Sequence, residues 1–393
     1  MSSLVIYDDG GGCLGPMTDL RPAFDIRTGA HRTLERIERR LGKFPAAWWV
    51  PAAIESLWAS ATETAVNTLP AGDDLLLING RWLGLGDLPE LQCCQAACTD
   101  DGTVVAACLD QGDGESFLAT NQLPDRVATQ VIDVPVLRRP WDLMTHLSAC
   151  LLDDLHASST PQGCPKHVQV VGGNTVRVHP SATVMPGVVI DAGNGPVVIA
   201  ADATIRPCAV LTGPCHVGRG ATVTDGAVIR ANTVIGPHCK IGGEIGASVV
   251  QGFSNKAHHG YLGDSYVGEW VNLGAGTITS NLLNTYGEIS MRVSPGASRE
   301  RTGRTFLGSI IGDHVKTAIG TRLMTGTVLG TGCMVATTAA PPTCVGALRW
   351  LIDDGERAYR TDKFLQAAGA MMARRDRDVI DALVARITAL GEG

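Results

Sequence analysis

Side chains able to move a proton or hold a polar group are concentrated in residues 254–281, SNKAHHGYLGDSYVGEWVNLGAGTITSN. An imidazole, with an ordinary pKa of about 6.5, suits a general base at neutral pH. His258 and His259 are the two candidates in this stretch. A histidine in a repetitive fold is also a common corner residue, and residue type alone leaves both readings open. Asn272 equally fits a stacked corner asparagine or an amide donor, while Asp264 and Glu269 read as turn residues rather than acids.

What must position these side chains is a ladder of aliphatic residues six apart. It runs Val178, Val184, Ile190, then, after a nine-residue step, Ile199, Ile205, Leu211, Val217, Val223, Ile229, Ile235 and Ile241. It resumes as Ile311, Thr317, Leu323, Leu329 and Val335, with Thr317 the only polar rung. A period of six fits neither a helix face nor strand alternation. It fits a chain that turns a corner every six residues and sends one aliphatic side chain inward each time. Three such edges make a triangular coil, and stacked coils bury a continuous core. The pattern is that of a hexapeptide parallel β-helix, which is left-handed and so departs from the usual handedness of parallel crossovers.

The breaks in the ladder read as loops. DAGNGP (191–196) accounts for the long step, and the Ser-, Pro- and Gly-rich residues 156–175 read as a linker into the solenoid. Residues 282–306 form an excursion carrying Arg299, Arg301 and Arg304. That loop is either a solvated surface or a contact for the phosphates of a nucleotide-like cofactor. AAPPTC (339–344) stops the strand pattern, and Val379, Ile380, Leu383, Val384 and Ile387 then make one apolar helical face. Such a tail caps the open solenoid end or packs on a neighbouring subunit.

Composition agrees with this class. Of 393 residues only 18% are charged and 47 are glycine, as expected of coils made mostly of interior and corners. A net charge of −7 argues against general nucleic-acid binding. No apolar run is long enough to span a bilayer, so no membrane association is expected. The opening MSSLVIYDDGGG lacks a secretion signal. The 12 cysteines show neither CxxC nor zinc-finger spacing, which points to a reduced, cytoplasmic protein with no metal site of its own. Cys208, Cys215 and Cys239 are expected to pack as small hydrophobes.

Residues 1–165 lack the period of six. LVIYDD (4–9), DDLLLING (73–80) and TVVAACL (103–109) read as strands, and 29–42 and 139–155 as helices. Strands alternating with helices predict an α/β layer. The expected organisation is an α/β domain over 1–165, a left-handed β-helix over 166–342 and a helical tail over 343–393.

The N-terminal stretch resembles sugar nucleotidyltransferases in its first strand, its Gly-rich turn and PMTDLRPAFDIRTG (16–29). In that family a Gly-rich loop with an Arg approaches the nucleotide phosphates, a Pro-Lys pair follows, and an Asp after a later strand holds the catalytic metal. This chain departs at each point. Its loop is DDGGGCLGPM, Arg21-Pro22 replaces Pro-Lys, and Asn79-Gly80-Arg81-Trp82 puts Arg81 about where the acid belongs. An Arg there would repel a cation, so a degenerate or repurposed domain is the competing reading. If nucleotide binds, Asp8, Asp9, Arg21 and Arg27 are the candidates, with Mg²⁺ required only if the domain is active.

The central stretch resembles the acetyltransferase half of the bifunctional N-acetylglucosamine-1-phosphate uridylyltransferase/glucosamine-1-phosphate N-acetyltransferase family. That family's signature, H-x-x-Y-L-G-D followed by V-N-I-G-A-G-T-x-T-x-N, is matched by His258 to Asp264 and Val271 to Asn281. The resemblance implies an acetyl-CoA-dependent N-acetyltransferase of nucleotide-sugar synthesis acting on an amino-sugar phosphate. It implies His258 as base, with His259 as rival, and Asn272 with a backbone N–H near Gly274 and Ala275 as oxyanion donors. Tyr261, Lys256 and Asn281 would contact the sugar phosphate, and Arg299, Arg301 and Arg304 the cofactor. A homotrimer is expected, because in this family the cofactor lies between two solenoids. The family's Lys beyond T-x-N is absent from Asn281-Leu282-Leu283-Asn284-Thr285-Tyr286, which leaves the acceptor sugar open. Two other readings remain. One is a sugar-1-phosphate nucleotidyltransferase using a nucleoside triphosphate (UTP or dTTP), with the β-helix as a trimerisation stem. The other is a non-catalytic nucleotide-sugar sensor or scaffold.

Overall fold

A computed structural model describes residues 2–72 and 74–392. Its contacts divide the chain into two units. One comprises the chain up to Leu14 with Leu20–Ile26 and His31–Arg139; the other comprises Gly15–Asp19, Arg27–Ala30 and everything from Pro140 onward.

The first unit is a seven-stranded mixed sheet with helices. Its strands are β1 (Ser3–Tyr7), β2 (Ala47–Trp49), β3 (Ala65–Val66), β4 (Leu75–Asn79), β5 (Gln95–Cys98), β6 (Val104–Leu109) and β7 (Ala128–Val131). They lie in the order β3-β2-β1-β4-β6-β5-β7, with β1 parallel to both β2 and β4. Asp73, first residue of the 73–80 stretch, lies outside the described residues. Apolar side chains leave both faces of β1. Leu4 and Ile6 pack with Phe24, Ile37, Trp48 and Trp58, and Val5 and Tyr7 with Leu77 and Phe117. A parallel pair covered on both sides explains the unbroken hydrophobic run LVIY. Helix α1 (Thr33–Leu41) supplies Leu34 and Ile37 to this core. Helices α2 (Glu55–Ala59) and α3 (Gln111–Thr120) complete the unit.

The second unit is a parallel β-helix with three faces. Its first face stacks strands such as Thr204–Ile205, Thr222–Val223, Lys240–Ile241 and Asn255–Lys256. The second stacks Val210–Thr212, Val228–Ile229, Glu244–Gly246 and Tyr261–Gly263, and the third Cys215–Val217, Thr233–Ile235, Val249–Gly252 and Tyr266–Glu269. Every aliphatic rung of the six-residue ladder lies in one buried core. Thr317, the polar rung, is buried as well, and its hydroxyl bonds the Thr277 hydroxyl at 2.8 Å and accepts the Gly274 N–H at 3.1 Å.

Between Ile241 and Ile311 the ladder continues with unequal steps. Ile245 follows Ile241 after four residues, Val250 follows after five, and Lys256, Leu262, Val267, Leu273 and Thr279 complete the inward column. At the corner from the third face to the first, His238, Phe253, Trp270 and His314 all take positive φ, between 53° and 59°. Their rings stack with successive centroid spacings of 5.1, 4.6 and 6.3 Å.

Strands Cys344–Val345 and Arg349–Ile352 extend the third and first faces past residue 342, and helix α4 (Asp142–His156) belongs to this unit. The tail forms helices α5 (Thr361–Ala373) and α6 (Asp381–Glu392). Phe364 of α5 is fully buried against His314, and Leu383 and Ile387 of α6 are buried. Cys215 and Cys239 are buried as expected, but Cys208 is exposed because it sits at a corner with φ +61°. Among the described residues no helix is long and apolar enough to cross a membrane.

Candidate functional site

His258 and His259 occupy the corner between Asn255–Lys256 on the first face and Tyr261–Gly263 on the second. The turn is closed by Gly260 at φ +123°, where a Cβ would lie 2.3 Å from the Thr277 carbonyl oxygen of the next coil. Both imidazoles open onto a groove of about 950 Å³, lined also by Thr222, Thr224, Asp225, Lys240 and Arg375. Neither ring makes a hydrogen bond among the described residues.

Lys256 does not face this groove. It is an inward rung, 4% exposed, opposite Ile241. Its ammonium donates to the carbonyls of Gly242 at 3.0 Å, His258 at 3.1 Å and Gly260 at 2.7 Å. All three ammonium donors are committed, so a sugar-phosphate contact by Lys256 is ruled out by geometry. Burial pulls its pKa down to about 8. What Lys256 does is tie down the corner that carries the histidines.

Asn272 points outward from the first face, between Asn255 and Lys316. It lines a second groove of about 650 Å³ with Phe253, Trp270, Lys316, Met371 and Arg374. Lys240, Ala257 and Arg375 border both grooves, which therefore adjoin. Of the two expected backbone donors, the Gly274 N–H is already spent on Thr317. The Ala275 N–H has no acceptor among the described residues and remains available.

Tyr261 and Asn281 form a separate cluster at the next corner. The Asn281 amide donates to the Tyr261 hydroxyl at 3.1 Å and to Asp264 at 2.7 Å. Arg304 approaches Asp264 to 3.9 Å and donates to the Phe306 carbonyl at 3.1 Å. Arg301 is held by Glu288, and Arg299 reaches Thr343 at 3.4 Å. The excursion therefore leaves from a different corner than the one bearing His258, and its arginines do not converge on either groove.

Beside Lys240 and Lys316 of the first face, the cations that line the grooves include two from the tail. Arg374 and Arg375 follow α5, Arg375 donates to the Asn255 side chain at 3.3 Å, and the Arg377 guanidinium lies 6.0 Å from the Phe253 ring centroid. Burial, then the charges of Arg375 and Arg377, lower the His238 pKa, which registers a positive field along this edge. The signal in the sequence was ARRDR at the end of the KFLQAAGAMMARR helix, which a capping role for the tail obscured.

In the first unit, Asp8 and Asp9 border a crevice of about 330 Å³ with Trp49, Asn67 and Asn121. Arg21 is not part of that lining; it is buried and paired with Asp25 at 3.3 Å. Arg27 belongs to the second unit, where its backbone N–H and guanidinium bond Gln251. Within the first unit, Asp8 and Asp9 share a crevice that Arg21 does not line.

Residues 4–160 match the family model described as sugar nucleotidyl transferase. A bifunctional sugar-1-phosphate nucleotidylyltransferase/acetyltransferase of Sulfurisphaera tokodaii is 35% identical over 138 residues, covering 35% of this chain and 34% of that protein. The bifunctional protein GlmU of Paracoccus denitrificans is 36% identical over 135 residues, covering 33% of this chain and 27% of that protein. Over these stretches the chain is similar to bifunctional sugar-1-phosphate nucleotidylyltransferase/acetyltransferases. The matches span about a third or less of the curated relatives' own length. Among solved structures, a hexapeptide transferase family protein from Anaplasma phagocytophilum is 19% identical with a TM-score of 0.21, covering 54% of this chain and 98% of that one.

Proposed function

We propose that the second unit transfers an acetyl group from acetyl-CoA to the amine of an amino-sugar phosphate such as glucosamine-1-phosphate, with His258 as general base. The observation that carries this reading is the meeting of two grooves at Lys240, Ala257 and Arg375. One groove holds a free imidazole and the other is walled by aromatic rings and cations. The amine nitrogen attacks the thioester carbonyl, a C–N bond forms, and the C–S bond breaks with release of the CoA thiolate. His258 takes the proton that the amine loses and returns it to the thiolate. The Ala275 N–H and the Asn272 amide are the donors for the developing oxyanion. Lys240, Arg374 and Arg375 supply positive charge for the cofactor's phosphates, the role that the basic charge of the 282–306 excursion suggested for Arg299, Arg301 and Arg304.

The Tyr261–Asn281–Asp264 cluster lies one corner away from His258 within a chain. A closed trimer brings a corner of one solenoid to the groove of the next, which is how sugar contacts by Tyr261 and Asn281 join this site. Exposed Ile278, Ile319 and Met324, at 41%, 79% and 48%, suit such a buried interface. A cytoplasmic location fits acetyl-CoA and sugar phosphates as substrates.

The test is free-thiol release from acetyl-CoA with a panel of amino-sugar phosphates. Release that depends on one acceptor supports the reading. Tight binding of a nucleotide sugar with no thiol release for any acceptor overturns it in favour of a sensor.

A further inference from the structure

The first unit keeps the architecture in which an open α/β sheet binds a ligand. Ligands of such sheets sit outside the carboxyl ends of the strands, where the strand order switches direction. Here β1 is followed on one side by β2 and β3 and on the other by β4, so the switch point lies between β1 and β4. Asp9 follows β1 and Arg81 follows β4. Their side chains meet across that point as a two-pronged pair, Nε to Oδ1 at 2.8 Å and Nη2 to Oδ2 at 2.5 Å.

The pair is closed to further ligands. Asp9 also accepts the Gly11 N–H at 2.8 Å and the Asn79 amide at 2.9 Å, so its four lone-pair directions are filled. The third guanidinium nitrogen of Arg81 donates to the Leu137 carbonyl at 2.9 Å, and the residue is 4% exposed. Burial opposes the Asp9 charge, but Arg81 outweighs it and holds the carboxyl below its ordinary range. Asp8, the neighbouring carboxylate, spends its oxygens on the N–H groups of Gly10 and Ala23 at 3.0 and 2.7 Å.

The glycine loop is turned inward too. The N–H groups of Gly10 and Gly11 point at Asp8 and Asp9, and that of Cys13 at the Arg138 carbonyl. At Gly12, φ is +71° and a Cβ would lie 2.9 Å from the Arg138 carbonyl oxygen, so the loop is pressed against the protein itself. A phosphate cradle needs such N–H groups free, and a magnesium–nucleotide complex needs one or two carboxylates open beside it. The N–H groups of Gly10, Gly11 and Cys13 and the Asp9 carboxylate are committed within the protein and serve neither role. Mg²⁺ does not fit this site.

We infer that Arg81 is a built-in counter-ion that has taken the place of a divalent metal at the switch point, so that this domain holds no metal–nucleotide complex. The guanidinium neutralises Asp9, bridges the ends of β1 and β4, and converts a reactive crevice into a fixed structural junction.

Manganese is the probe, with free Mn²⁺ followed by electron paramagnetic resonance on the full chain. Wild-type protein and Asp9→Asn should take up Mn²⁺ equally, and Arg81→Ala should gain about one bound Mn²⁺ per chain. Circular dichroism establishes whether Arg81→Ala folds; if it does not, the comparison of wild type with Asp9→Asn decides alone. One wild-type Mn²⁺ that Asp9→Asn removes would overturn the inference. So would a folded Arg81→Ala that gains none.

Discussion

Lys256 holds the carbonyls of the corner that carries His258, so the orientation of the proposed base depends on an ammonium inside the solenoid. Lys256→Met keeps the length and leaves the Gly242 and His258 carbonyls without a donor, while the Gly260 carbonyl keeps the Glu244 N–H at 3.2 Å; each orphaned buried acceptor costs about 1–3 kcal/mol. A second effect depends on pH. The folded pKa of about 8 lies below the ordinary 10.5, so the unfolded chain binds more protons between those values. Burying the charge is costly below pH 8, and that cost fades as pH rises toward 10.5. Denaturation midpoints of wild type relative to Lys256→Met should therefore shift in favour of wild type as pH rises from about 8 toward 10.5; a pH-independent difference contradicts the assignment. At the tail, Arg374→Glu with Arg375→Glu should raise the KM for acetyl-CoA at least about tenfold with a smaller change in kcat, as removal of uniform binding does.

At the scale of elements, the solenoid was legible because one side chain per edge must fill the triangular core, and that requirement writes a period of six into Val178 to Ile241. The ladder faded at Ile245 and Val250 because shortened edges still bury one residue while the spacing changes. For the same reason Lys256 was not recognisable as a rung, and its charge suggested a surface role. The three-dimensional partition of the site was not legible either. Spacing along the chain does not say that a coil of three faces sends His258 to one corner and Tyr261 with Asn281 to the next. Thr317 was visible as a polar rung, and its two bonds to Thr277 and Gly274 show why it is tolerated. Thr317→Val removes both, and thermal unfolding should report a loss of about 1–3 kcal/mol. An unchanged midpoint would mean that the Thr277 hydroxyl finds another partner.

At the scale of the whole molecule, the account needs more than one copy of the chain. Ile319 lies on the corner column that includes His259 and Gly276, whose neighbour in the next coil is Gly320. Ile319→Asp should turn a trimer in sedimentation velocity into a monomer and abolish thiol release, because Tyr261 and Asn281 are then withdrawn from the His258 groove. A monomeric variant with full activity would show that one solenoid suffices. The most direct test of the central claim compares His258→Gln and His259→Gln with wild type, at pH 7.5, for acceptor-dependent thiol release and for acetyl-CoA binding by calorimetry. Loss of a general base costs about 10²–10⁴-fold in rate. The account predicts that loss in His258→Gln with acetyl-CoA affinity retained, and a much smaller loss in His259→Gln. Wild-type turnover by His258→Gln would contradict it.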